Sequence, residues 1–205
     1  MTRPGHPDAL YRRAKSQGYA ARSVYKLQEM DRRYRLLRPG QAVLDLGCHP
    51  GSWLQFAAQK VGKKGRLAGV DLQPPGVALP PGVGFIQADV LDLTPGGLRE
   101  RSGIEAFDLV LSDVAPRTTG VRDRDAAASL ELTQAALELA LALLKPGGSF
   151  LAKVYFGPGV DDLIRRVKRA FKLGKGHKPD ASRSASREIY ILGRGLKRAA
   201  PAKSK

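Results

Sequence analysis

Apolar residues in the centre of this chain fall into short continuous runs, separated by stretches that repeat every three or four residues. Ala42–Leu46 (AVLDL), Leu67–Leu72 (LAGVDL), Phe107–Ser112 (FDLVLS) and Ser149–Tyr155 (SFLAKVY) read as buried strands. A shorter strand begins at Phe85–Gln87 and ends near Asp89, and Arg187–Leu192 (REIYIL) reads as a last strand. Helical periodicity marks Tyr19–Leu37, where Val24, Leu27, Met30, Tyr34 and Leu37 recur at helical spacing, and also Trp53–Val61, Ala126–Leu144 and Val160–Phe171. Pro39-Gly40 and Pro146-Gly147-Gly148 stop two of these helices. Such alternation predicts an α/β fold: one mostly parallel central sheet with helices on both faces. The predicted organisation is a flexible basic tail over 1–18, a single domain over 19–196 opening with a basic helix at 19–40, and a basic disordered tail over 197–205.

Charge changes this picture. The 205 residues carry 35 Lys and Arg against 19 Asp and Glu, a formal net charge of +16. Residues 1–40 hold +7, residues 41–150 hold −2 and residues 151–205 hold +11. A near-neutral centre between two basic ends points to a polyanion partner, nucleic acid or an anionic membrane surface. A solubilising surface is the plain alternative. No apolar run in the sequence reaches the roughly 20 residues of a membrane span, and no signal-peptide core follows the start. The Arg-rich start resembles a transit peptide, a reading that Asp8 and two prolines weaken. The single cysteine, Cys48, excludes an internal disulfide and fits a reducing compartment. With one cysteine and three histidines at no ligand spacing, no metal is expected.

In parallel sheets ligands bind beyond the carboxyl ends of the strands. The first predicted strand runs into a glycine turn, Asp45-Leu46-Gly47-Cys48-His49-Pro50-Gly51-Ser52-Trp53, which lacks the third glycine of a dinucleotide cradle. Asp45, Asp71, Asp89 and Asp113 fall at four successive strand ends. Asp71 has two acceptor oxygens for a ribose, and Asp89 sits where a carboxylate can accept from an adenine amino group. Four carboxylates repel a pyrophosphate and suit a cationic nucleoside without phosphate, which describes S-adenosylmethionine.

Five stretches then carry a resemblance: ARSVYKL at 21–27, DLGCHPGSW at 45–53, SDVAP at 112–116, PGGSFLAKVY at 146–155 and KPDASRSASREIYI at 178–191. In order and near-matching spacing they resemble the FtsJ/RrmJ-type ribosomal RNA 2′-O-ribose methyltransferases. The resemblance implies a Rossmann-like, S-adenosylmethionine-dependent methyltransferase fold. It places a catalytic Lys-Asp-Lys-Glu set on Lys26, Asp113, Lys153 and Glu188, and cofactor contacts on Gly51, Trp53, Asp71, Asp89 and Asp113, beside Asp45 and Gly47 from the turn. It implies methylation of a uridine 2′-hydroxyl in large-subunit (23S) ribosomal RNA within the assembled subunit, by a cytoplasmic monomer with no membrane partner. The chain departs from the usual DLGAAPGGW turn at Cys48, His49 and Ser52, and has Arg117 where asparagine is usual.

Methyl transfer to a hydroxyl needs alignment and a base, and the activated donor needs no metal. Lys153 is the candidate base, because lysine inside an apolar strand is costly unless it ends in a polar site. Lys26 and the cofactor cation would lower its pKa, while Asp113 and Glu188 would raise it. Arg32, Arg33, Arg35 and Arg38 on one side, and Arg165, Arg166, Lys168, Arg169 and Lys172 on the other, are the candidate RNA grip. Tyr155 and Phe156 are candidates for base stacking or core packing. Rival readings are a nucleotide-dependent oxidoreductase, a non-catalytic RNA-binding protein, and a transfer RNA or messenger RNA cap 2′-O-methyltransferase.

Overall fold

The computed structural model describes residues 9–180 and 186–197. The outer parts of both expected tails, 1–8 and 198–205, and residues 181–185 of the fifth motif lie outside the described residues. The described chain runs α1 (Ala9–Ser16), α2 (Val24–Tyr34), β1 (Ala42–Leu46), α3 (Ser52–Val61), β2 (Arg66–Asp71), β3 (Val83–Gln87), a 3-10 turn at Val90–Asp92, α4 (Pro95–Ser102), β4 (Phe107–Ser112), α5 (Arg122–Leu143), β5 (Leu144–Tyr155), α6 (Val160–Ala170), β6 (Phe171–His177) and β7 (Glu188–Leu196).

One seven-stranded sheet has the order β3-β2-β1-β4-β5-β7-β6. Its first five strands are parallel, and β7 runs antiparallel to both β5 and β6. After β1 the chain builds outward through β2 and β3, then returns to place β4 on the other side of β1. The carboxyl ends of β1 and β4 therefore flank a switch point, where the two outgoing loops part and leave a crevice.

Both faces are covered, which is why β1 is buried at all five positions. Leu44, Leu46, Val110 and Phe150 pack on one face against Leu137 and Leu143 of α5 and Leu163 and Val167 of α6. On the other face Val43, Leu109, Leu111 and Leu151 meet Leu27 and Met30 of α2 and Trp53 and Leu54 of α3. Asp45 and Lys153 alternate with Val43 and Leu151 on this second face, so both polar groups are aimed under α2 and α3.

Several elements differ from the sequence pattern. Part of the expected tail is helix α1, whose Ala14 is buried and whose carbonyl accepts the Tyr19 N–H at 2.9 Å. The expected helix over 19–37 is helical only at Val24–Tyr34, because residues before it turn to meet α3. Three elements are additional: the 3-10 turn, α4 and β6. Helix α4 is capped by the Thr94 hydroxyl, which accepts from the Gly97 N–H at 3.1 Å, with Pro95 at the first turn. By length and composition α5 could cross a bilayer, against the reading from apolar runs, but its apolar side lies on the sheet among the core residues.

Strand β6 is an edge strand paired along its length with β7, and Phe171 is its one fully buried side chain. Phe171 is fully buried and covers Gly193 of β7 so closely that a Cβ there would lie 2.6 Å from the ring. Phe171→Ala is expected to cost about 3–5 kcal/mol. Leu173→Ala, at a site 41% exposed on the same strand, should stay within about 0.5 kcal/mol. Urea-unfolding midpoints of the two variants check this, and equal losses would refute the role given to Phe171.

Candidate active site

A cleft of about 550 Å³ opens at the switch point, lined by Gly47, Asp71, Asp89 and Asp113 together with His49, Val114, Arg117 and Leu132 among others. Gly47 has φ +76°, and a Cβ there would lie 2.6 Å from the Val114 backbone nitrogen. Glycine thus lets the loop after β4 close on the loop after β1. Asp71, at the end of β2, accepts the His49 N–H at 2.9 Å and the Gln73 N–H at 3.0 Å, one on each oxygen. Asp89 accepts the Leu91 N–H at 3.0 Å, which starts the 3-10 turn.

Asp45 lies one rung inside the sheet, between Gly69 of β2 and Leu111 of β4. It is 0% exposed, and neither carboxylate oxygen has a hydrogen-bond partner among the described residues. Burial, then the charges of Asp113 and Asp71, push its pKa well above the carboxylate range. An orphaned carboxylate under a cleft lined by three further carboxylates and one guanidinium suits a cation and repels a phosphate. These residues fit S-adenosylmethionine, a positively charged nucleoside without phosphate.

Beside the cleft two lysines and two carboxylates are paired. Lys153, on β5, is 6% exposed; its Nζ donates to the Asp113 carbonyl at 2.8 Å and lies 3.1 Å from Asp113 Oδ1. Lys26, on α2, donates to Glu188 on β7. The antiparallel register sets Tyr155 opposite Glu188 and Lys153 opposite Tyr190, so β7 delivers two groups to the site. Burial opposes the Lys153 charge, but Asp113 and then Glu188 outweigh it, and its pKa ends above the usual lysine value. Burial alone would raise the pKa of Glu188, but the Lys26 hydrogen bond and charge, then Lys153, hold it below the usual value. The balance left open by the sequence thus falls toward a protonated Lys153 in the cofactor-free protein.

Tyr190 was not among the sequence-predicted residues. It is fully buried, its hydroxyl donates to Asp113 Oδ1 at 2.9 Å, and its ring lies 5.9 Å from that of Trp53. Only strand pairing reveals it, since REIYIL alone does not show which strand it faces.

The remaining sequence-predicted residues divide clearly. Gly47, Asp71, Asp89 and Asp113 line the cleft. Gly51, at φ +112°, instead faces Val77 and Pro75. Trp53 is buried, and its indole N–H donates to the Ser23 carbonyl at 3.0 Å, tying α3 to the start of α2. Ser52 pairs its hydroxyl with that of Ser23 at 3.0 Å, and Cys48 is buried against Gly69, its thiol pushed up by burial. Tyr155 lines a second cleft of about 250 Å³ with Arg122, Asp125, Ser186, Arg187 and Glu188, and Phe156 beside it is 55% exposed. The candidate RNA grip is split between sheet faces. Arg32, Arg33, Arg35 and Arg38 belong to α2 and the chain after it, whereas Arg165, Arg166, Lys168 and Arg169 belong to α6 on the other face.

A family described as FtsJ-like methyltransferase matches residues 19–196. A ribosomal RNA large subunit methyltransferase E of Desulfatibacillum aliphaticivorans is 49% identical over 181 residues, covering 88% of this chain and 86% of that protein. The protein of the same name from Syntrophobacter fumaroxidans is 47% identical over 192 residues, covering 93% of this chain and 96% of that one. A crystal structure of a ribosomal RNA methyltransferase from Plasmodium falciparum superposes with a TM-score of 0.76 at 29% identity, covering 87% of this chain and 98% of that chain.

Asp45 gives a test of the cleft independent of catalysis. A carboxyl whose folded pKa exceeds its unfolded value contributes stability that is full below the unfolded pKa and is lost as pH rises through the folded one. Asp45→Asn should therefore raise the Tm at pH 7 and flatten its fall with rising pH. S-adenosylmethionine is expected to raise the Tm of the wild type, and the same variant should lose that increase. A lower Tm at pH 7 with ligand stabilisation intact would overturn the assignment.

Proposed function

The chain belongs to the FtsJ-like methyltransferase family, and from that premise we propose that it transfers a methyl group from S-adenosylmethionine to a ribose 2′-hydroxyl of large-subunit ribosomal RNA. The two relatives described above carry that substrate class in their names. The finer reading, a uridine of 23S RNA methylated in the assembled subunit by a cytoplasmic monomer, follows from the resemblance of the five motifs. The observation that carries the reaction type is the buried Lys153 beside the acidic cleft, paired with Asp113 and next to the Lys26–Glu188 pair.

Each residue then has a chemical task. Asp71 and Asp89 would hold the ribose and adenine ends of the cofactor, with Asp113 supplying negative charge toward its cationic centre and Asp45 buried beneath it. When bound, S-adenosylmethionine supplies the methyl group and a positive charge. Asp113 holds Lys153 by its main chain and its carboxylate, and Tyr190 donates to the same carboxylate oxygen. Lys26, held by Glu188, sits where it can hold the acceptor hydroxyl by hydrogen bond. Lys153, once its own proton has passed to solvent, would take the proton that the acceptor hydroxyl gives up. The cleft beside Glu188, where Arg122 and Arg187 stand with Asp125 and the ring of Tyr155, offers hydrogen-bonding groups and stacking to the target nucleotide.

Lys153→Ala should bind S-adenosylmethionine normally and lose about 10²–10⁴ in methyl transfer to RNA. Lys153→Arg keeps a cation that does not deprotonate and should be equally inactive. Because the Lys153 pKa is raised, the wild-type rate should climb with pH, by about tenfold per unit, while the ammonium form dominates. Tritiated methyl incorporation between pH 6 and 9 reads this, and an active Lys153→Arg enzyme would remove Lys153 from the base role.

A further inference from the structure

A third cleft, of about 570 Å³, lies away from the active site and is lined by Asp31, Arg32, Arg35, Leu37, Arg38, Pro39, Lys60 and Arg194. Five cations face one carboxylate there, and that carboxylate is already engaged. Asp31 is buried, accepts the Leu37 N–H at 2.8 Å and lies 3.4 Å from Lys60. Arg32, Arg35, Arg38 and Arg194 make no ion pair among the described residues.

The turn that presents them is built rather than incidental. Arg35 terminates α2 in the left-handed conformation at φ 51°, the one non-glycine residue with positive φ among those described, and its N–H donates to the Asp31 carbonyl at 2.7 Å. Glycine suits that position better, so keeping arginine there costs stability. On α6 two of the four basic residues are engaged instead: Arg165 pairs with Asp162 and Arg166 pairs with Glu138, on the opposite face of the sheet.

Two elements measure the distance to the catalytic groups. Arg35 lies nine residues along α2 and its end from Lys26, about 13 Å at helical rise. Arg194 lies four residues along β7 from Tyr190, and pairs with Ser149 near the start of the buried part of β5, again about 13 Å. The cleft therefore sits at the opposite end of the sheet from the active site, on the α2 face that the two share.

Resting on the proposed RNA substrate, we infer that this cleft is a phosphate-binding site, and that RNA runs along the α2 face from the active site to the base of the sheet. The recognised substrate is accordingly a folded RNA that reaches both ends of α2, and the α6 face stays outside the footprint. Its chemistry is that of phosphate oxygens meeting arginine forks.

The test uses deproteinised large-subunit ribosomal RNA and the full chain, with binding measured against salt. The triple variant Arg35→Gln/Arg38→Gln/Arg194→Gln should lower the slope of log affinity against log salt by about 2. It should leave S-adenosylmethionine binding unchanged. Arg165→Gln/Arg166→Gln/Arg169→Gln should leave the slope at the wild-type value. Arg35→Gly separates binding from folding, since relief of the positive φ should raise the Tm by about 2–4 °C while RNA affinity falls. A wild-type slope in the triple variant, or loss of slope in the α6 variant alone, overturns the inference and leaves the proposed reaction standing. A wild-type protein that binds this RNA without salt dependence and methylates neither it nor the assembled large subunit overturns the reaction itself.

Discussion

A lysine ammonium enclosed in a sheet between apolar neighbours is tolerable only if something of opposite charge is fixed beside it. Lys153 stands between Ala152 and Val154, both fully buried, and its partner is Asp113, reached through the main chain and the carboxylate together. That requirement ties the fold to the site. Asp113 is in place because β4 returns to the far side of β1, where its N–H donates to the Leu46 carbonyl at 3.0 Å. The reversed strand β7 closes the arrangement, setting Tyr190 against Asp113 and Glu188 against Lys26. Removing Asp113 would leave a buried ammonium without its carboxylate partner, so this contact bears on stability.

Asp45 is the complementary case. Its oxygens have no partner among the described residues, and burial with two neighbouring carboxylates disfavours its charge. A protein optimised only for stability would place a neutral residue there. The two sides of the site thus hold their charges in different ways. Under the cleft Asp45 lies without a cation among the described residues, whereas Lys26 and Lys153 each have a carboxylate partner.

The strands and the four acidic strand ends were legible because a strand buried on both faces admits few polar residues, and those that appear stand out. Lys153 and Asp45 are visible in SFLAKVY and AVLDL for that reason. Strand β6 was not legible, since FKLGKGH is Gly- and Lys-rich and Phe171 is its one fully buried side chain. Helix α4 was hidden by Pro95-Gly96-Gly97, where a turn and a helix start look alike and the Thr94 cap decides. Tyr190 required the β5–β7 register, a long-range pairing with no local signature. The arginines were visible as charge, but not their placement. A sum of charge carries no direction, and direction came only from the handedness of α2 and the return of β7.

That direction changes what the basic composition means. Helix α2 begins beside Trp53 and Ser52, carries Lys26 to Glu188 within its first turn, and ends in the Asp31-braced turn at Arg35. One helix thus carries the Glu188-paired Lys26 at one end and, at the other, guanidinium groups that make no ion pair among the described residues. A residue in a strained conformation persists where surrounding structure over-determines it, and here Asp31 does so through its carbonyl to Arg35 and its carboxylate to Leu37. Solubility alone would not require that bracing, because a solvated arginine serves equally well from any exposed helical position. The geometry around Arg35 therefore favours a bound polyanion over a merely charged surface.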